Sequence, residues 1–227
     1  MSQEFRYGFL TGPIVIADED VQCDLRDRIW HVHRESALPV VVKNEARFVL
    51  LVEKLSIFKR LVEDHFHVKN RGLLACGNGY PSRGFRRFLR HLHDRLDLPL
   101  YILADNDPAG FALFFLMAHG ATGRSTKPIK ENTVPQASFL GVRTGDASQF
   151  GLDNSVQIRL SDSEFRLLLQ LKRSPWVRND PKWRQEIEQL LLRGTKVEME
   201  AFCSRSTSFL ADTYLPERLA AGDSLRL

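Results

Sequence analysis

Little in this chain speaks for an exported or membrane-bound protein. Its 227 residues include three cysteines, Cys23, Cys76 and Cys203, odd in number, widely spaced and without a CxxC pair. That usage argues against a disulfide framework and for reduced thiols inside a cell. No run of 18 or more apolar residues is present, so the sequence offers no membrane-spanning helix. The opening MSQEFRYGFL lacks the long apolar core of a signal peptide. A Walker lysine, GxSxG and HExxH are also missing, which leaves P-loop, α/β-hydrolase and zincin chemistry unsupported. HxH pairs occur at His31/His33, His65/His67 and His91/His93. Two of them fall at or near predicted helices, where residues two apart diverge, so zinc is set aside.

What is present suits a globular protein with a sizeable core, with 43% hydrophobic and 26% charged residues. The net charge of +4 is compatible with a nucleic-acid partner without requiring one. Short apolar runs closed by polar residues, at 48–52, 73–76 and 100–104, suit buried strands of a parallel sheet. Between them, Leu55, Phe58, Leu61 and Val62 share a face of a helix over about 54–65. Phe85, Phe88, Leu89, Leu92 and Leu96 do the same over about 82–97, after a turn at Gly77–Pro81. Gly110–His119 is apolar all round, as in a buried helix. The order β-α-β-α-β-α predicts an α/β fold with right-handed crossovers.

Upstream, residues 8–25 alternate like a hairpin turning at Asp18–Asp20, and Val40–Val42 forms a further short strand. Downstream, 122–135 is a polar loop and 138–142 a strand. Helices then dominate, one opened by the capping box Ser161–Glu164 over 162–173 and another by Asp180-Pro181. The expected organisation is one domain: an N-terminal β extension (1–45), a core (46–142) and a C-terminal helical part (143–227).

Two constellations carry chemistry. Glu53 closes the first buried run, and Asp105 and Asp107 close the third. The C-terminal edge of an open parallel sheet is where ligands bind, and carboxylates gathered there suit a hard, oxygen-seeking cation such as Mg²⁺. The same spacing also suits helix caps, Asp107 standing directly before Pro108. The second constellation is the arginine-rich helix after the GNGYP turn. Arg83, Arg86, Arg87 and Arg90 could contact DNA phosphates, or form an ordinary solvated face.

Four segments, in order, carry a resemblance: LVEKLSIFKRLVED, GNGYPSRGFRRFLRHL, ADNDPAG and the tail SPWVRNDPKWRQEIEQLLLRGTKVEMEAFCSR. Together, from about Gly8 to Leu219, they resemble the Toprim domain shared by the A subunit of topoisomerase VI and the related meiotic protein that makes double-strand breaks. The resemblance implies a Rossmann-like Toprim sheet flanked by helices, with Glu53, Asp105 and Asp107 as Mg²⁺ ligands. It implies double-stranded DNA as substrate, a homodimer, and partnership with an ATPase-like B subunit. The location would be the nucleus, or the cytoplasm or nucleoid for an archaeal protein. The family's DNA-cleaving tyrosine sits on a preceding winged-helix domain, which is expected to be absent here. Tyr7, Tyr80, Tyr101 and Tyr214 match none of its surroundings, so no catalytic nucleophile is assigned and the chain is expected not to cleave alone. The segment FALFFLMAHGATGRSTKPIKENTVPQ departs from the family's usual sequence. The alternatives are a stand-alone Toprim nuclease or primase-like enzyme, and a non-catalytic DNA-binding or dimerisation module.

Overall fold

A computed structural model of the protein describes residues 6–18, 21–33, 39–120, 130–222 and 224–226. Its centre is a run of strands with apolar side chains on both faces. Strands β6 (Phe48–Val52) and β7 (Gly72–Cys76) are buried along their whole length, and β8 (Leu100–Leu103) nearly so. With β9 (Ser138–Gly141) they make a parallel set, β7-β6-β8-β9. Two strands of the N-terminal part extend it antiparallel: β1 (Arg6–Thr11) pairs with β7, and β4 (Trp30–His33) pairs with β1, giving β4-β1-β7-β6-β8-β9.

Alternation along the strands divides the core. Val49, Leu51, Leu73, Ala75 and Ile102 face one side, where α3 (Arg83–Leu96) and α4 (Pro108–His119) pack. Phe48, Leu50, Val52 and Leu74 face the other, under α1 (Leu55–Glu63) and α2 (Phe66–Lys69). Two opposite apolar faces need two layers of cover, which is why crossover helices lie on both. Val52 pairs with both Cys76 and Leu103. The residues that follow, Glu53, Gly77 and Ala104, therefore leave the sheet on one edge.

The hairpin expected over residues 8–25 is divided between two sheets. The chain leaves the main sheet at Gly12 and Pro13. Gly12 sits at φ +142, and a Cβ there would crowd the Gly72 carbonyl. It then forms β2 (Ile14–Asp18) and β3 (Val21–Asp24), with β5 (Val40–Asn44) as third strand in the order β3-β2-β5. Asp18 pairs with Val21, and the tip at 19–20 lies outside the described residues. So does 121–129, most of the predicted polar loop.

The C-terminal part follows its caps. A four-residue helix α5 (Asp146–Gln149) and a two-residue strand β10 (Ile158–Arg159) precede α6 (Asp162–Lys172), where Ser161 and Glu164 form both halves of the capping box. Helix α7 (Pro175–Asn179) leads to α8 (Pro181–Arg193), capped by Asp180 through the Trp183 N–H at 2.9 Å. Trp183, Ile187 and Leu190 bury the inner face of α8 against the α4 side of the sheet. Strand β11 (Thr195–Lys196), a 3₁₀ segment at Met199–Ser204 and α9 (Leu215–Ala221) complete the chain on the opposite face. Among the described residues no helix is long and apolar enough to cross a membrane.

Candidate functional site

The edge where β6 and β8 end is acidic and partly buried. Glu53 follows β6, and its Oε2 accepts the Asp105 backbone N–H at 3.3 Å. Asp105, only 6% exposed, accepts the Met199 N–H on Oδ1 at 2.8 Å. Its Oδ2 lies 2.8 Å from the Lys54 ammonium. Asp107 is extended and caps α4, its Oδ1 accepting the Gly110 N–H at 2.7 Å with Pro108 at the first helical position. Both sequence readings of Asp107 thus apply to one side chain, which caps a helix at the acidic edge. A Cβ at Gly110 would strike the Asp105 carbonyl, so the tight entry into α4 needs glycine there.

Burial is the leading reason why all three carboxyls hold their protons more tightly than usual. It pushes Glu53 up to about 7, with the charges of Asp105 and Asp107 adding to the effect. Burial also raises Asp105, against the opposing Lys54 and Met199 contacts, and Asp107, against the Gly110 N–H and Lys196. Lys54 bridges Asp105 and two acids from the crossing C-terminal segment, Glu200 at 2.7 Å and Glu198 at 3.5 Å. Its burial disfavours the charge, but the bonds to Asp105 and Glu200 outweigh that and hold it protonated. Lys196, 2.8 Å from Glu164, adds a nearby positive charge that favours ionised Asp107.

The donor set fits Mg²⁺: three carboxylates, hard oxygens, repelling one another at a partly buried edge where the two nearby lysines are shared with other acids. The side chains are not gathered on a point. Among the described residues no three His, Cys, Asp or Glu side chains form a group that could hold an ion, because Asp105 is drawn to Lys54 and Asp107 to its helix. Mg²⁺ keeps several waters and binds through one or two carboxylates plus substrate phosphates, so its chemistry does not require that triple convergence.

Glu53 makes a pH prediction. Its folded-state pKa exceeds its ordinary value of 4.5, so the folded chain binds that proton more tightly than the unfolded one. The stability it lends is present below pH 4.5 and is lost as pH rises towards 7, by on the order of 3 kcal/mol at about 1.4 kcal/mol per unit. Urea denaturation of the metal-free protein should therefore find Glu53→Gln more stable than wild type at pH 8 and close to it near pH 4.5. An equal difference at both pH values would refute the burial of this charge.

The arginine helix is sorted by its neighbours. Arg83 and Arg87 are exposed, Arg87 lying 3.6 Å from Glu131. Arg86 is half-buried and donates to the Pro81 carbonyl at 3.3 Å. Arg90 reaches Asp94 at 2.7 Å and the Thr133 carbonyl at 3.0 Å, so Arg86 and Arg90 serve the fold. The Tyr80 hydroxyl donates to the Ala109 carbonyl, and burial, then Glu53 and Asp107, push it up to about 12. Tyr214 is buried with its hydroxyl on Asp146. The Tyr101 ring packs edge-on against Phe48, and Tyr7 lies over Gly84.

A family model for the Toprim domain of the topoisomerase 6 A subunit/Spo11 group matches residues 48–219, which takes in the acidic edge, the arginine helix and the crossing segment. The chain belongs to this family. Among curated relatives of this Toprim chain, "Meiotic recombination protein SPO11-1" of Oryza sativa subsp. indica is 33% identical over 212 residues, 90% of this chain and 54% of the rice protein. The A subunit of type 2 DNA topoisomerase 6 from Aeropyrum pernix is 34% identical over 190 residues, 79% of this chain and 48% of its own. The protein of the same name from Haloarcula marismortui is 35% identical over 216 residues, covering 92% and 57%. The chain spans about half the length of these relatives.

Proposed function

We propose that this chain is the Mg²⁺-binding Toprim part of a type IIB topoisomerase-like protein that breaks both strands of DNA by tyrosine transesterification. Its place would be in meiotic recombination or in the A subunit of a topoisomerase VI. The observation that carries this reading is the partly buried acidic edge, Glu53, Asp105 and Asp107, within the part of the chain that the family model matches.

In the reaction proposed, a tyrosine oxygen bonds to phosphorus, the bond from phosphorus to the 3′ oxygen breaks, and a proton passes from the tyrosine to that leaving oxygen. Mg²⁺ on Glu53, Asp105 and Asp107 would supply charge stabilisation at the phosphate. The chain's own residues do the rest locally. Glu53 gives up its proton when a cation arrives, and Lys54 favours the ionised form of Asp105 against its burial. Arg83 and Arg87, the exposed pair one turn apart, hold backbone phosphates. The tyrosine would come from outside these 227 residues, since none of the four present lies in a segment that resembles the family's tyrosine-bearing winged helix. A homodimer would cut opposite strands and pair with an ATPase-like B subunit, in the nucleus for a meiotic protein.

Duplex DNA binding tests the interface. Removing one phosphate-binding cation should flatten the slope of log affinity against log salt by roughly 0.9, so changing Arg83 and Arg87 to glutamine should flatten it by about 1.8. An unchanged slope would return α3 to a solvated face. A stand-alone nuclease, in which a metal-activated water attacks, is favoured instead if the chain nicks supercoiled plasmid with Mg²⁺, without a covalent adduct, and Glu53→Ala abolishes the nicking.

A further inference from the structure

Between the two aspartates stands a residue that takes no part in the acidic edge and is more deeply buried than either. Asn106 is 0% exposed. Its backbone N–H donates to the Val197 carbonyl at 2.9 Å and its carbonyl accepts from the Val197 N–H at 3.4 Å. Its side-chain Nδ2 donates to Thr144 Oγ1 at 3.1 Å, while its Oδ1 is enclosed with no partner among the described residues. Thr144, 2% exposed, is itself held on α8: its N–H donates to Glu186 Oε1, and its hydroxyl donates to the Glu186 carbonyl at 3.4 Å. Glu186 is a carboxylate only 4% exposed on the otherwise apolar face of that helix, and its other oxygen lies 3.4 Å from Arg143 Nε.

We propose that Thr144 is a positioning residue, which sets the direction and spacing of Asp105 and Asp107 by clamping the Asn106 side chain, with Glu186 fixing Thr144 in turn. Residue 106 is the hinge of the acidic loop, since a change in its backbone angles moves Asp105 against Asp107. The crossing segment secures that backbone from one side through Val197, and Met199 secures Asp105. Thr144 secures the side chain from the other. Without the threonine oxygen, both polar atoms of the Asn106 amide would be enclosed and unpaired, a state the chain escapes by turning residue 106 towards a new partner. Ligand atoms must be held to about half an ångström, so that turn would loosen the site.

The test uses the metal-free chain for amide hydrogen exchange and Mn²⁺ calorimetry for affinity, at a temperature where circular dichroism shows every variant folded. Thr144→Val keeps the shape and loses the hydroxyl. It is expected to speed exchange at residues 105–107 and to weaken Mn²⁺ by about tenfold each, the effect of removing one buried hydrogen bond. Thr144→Ala, which adds no packing strain, should do the same. Thr144→Ser restores the oxygen and should stay within about twofold of wild type on both readings. Tyr214→Phe removes another buried hydrogen bond, to Asp146, and should lower the melting temperature while leaving both readings in place. Wild-type exchange in Thr144→Val and Thr144→Ala would overturn the clamp, as would Tyr214→Phe moving the readings equally. The affinity arm rests on the Mg²⁺ reading. Failure of the wild type to bind Mn²⁺ would sink that reading alone, and the clamp would then be decided by exchange.

Discussion

Replacing Arg218 with methionine is expected to destabilise the fold by roughly 3–5 kcal/mol, because it strands a carboxylate that water cannot reach. Asp146, at the start of α5, is 0% exposed, and Arg218 on α9 is 5% exposed. The Arg218 guanidinium donates directly to Asp146 Oδ1. Asp146 Oδ2 takes the Tyr214 hydroxyl at 2.6 Å and the Arg143 N–H at 2.7 Å. The two neutral donors cannot cancel the charge, so the arginine is what makes this burial tolerable. The pair also fastens α9 to the loop leaving β9. Urea denaturation measures the loss. The double change Asp146→Asn with Arg218→Met, which removes both charges, should be clearly less damaging than Arg218→Met alone. A single variant within about 0.5 kcal/mol of wild type would show that this ion pair does not hold the C-terminal part, since that is the range of surface substitutions.

Neither member of that pair stands out in the sequence, and the reason is general to this chain. What is legible is local. Strands β6, β7 and β8 are apolar on both faces and announce themselves as runs. Ser161, Glu164 and Asp180 cap the helices their spacing predicts. Glu53, Asp105 and Asp107 are visible because each ends or follows a buried strand. The sequence does not show which partners come from far along the chain. Lys54 meets Glu198 and Glu200, 144 and 146 positions away. Asp105 meets the Met199 N–H, 94 positions away. No periodicity encodes such contacts; they exist because the segment after β11 crosses the sheet edge. Edge strand β4, WHVH, escapes a sequence reading for a different reason: it is short and its histidines alternate with Trp30 and Val32. The four arginines share one helix, yet the neighbouring Thr133 carbonyl and Asp94 take Arg90 out of the exposed set. That distinction is tertiary.

The C-terminal part emerges as a brace for the acidic edge. It brings the Met199 N–H and the charge of Lys196 to the loop between β8 and α4, Glu198 and Glu200 to Lys54 after β6, and Glu186 to the residue that holds Asn106. The local charges are arranged in rank. Lys54 is shared between Asp105 and the two crossing glutamates, while Glu53 is left to resolve its own burial by keeping a proton. A divalent cation arriving at this edge would displace that proton, which ties cation affinity to pH in a calculable direction. Affinity rises with pH up to about 7 and levels off above it, because the proton to be released is then already gone.

Calorimetric titration of Mn²⁺ into the wild-type chain and into the Asp105→Ala, Asp107→Ala double variant is therefore the decisive experiment. Saturable binding is expected for the wild type, with proton release at pH 6 that is seen as a heat varying with the buffer's ionisation enthalpy and that fades by pH 8. The double variant should bind at least about 100-fold more weakly, beyond what outer-shell changes cause, with circular dichroism unaltered. Binding of equal strength in the two proteins would contradict a cation site on these aspartates.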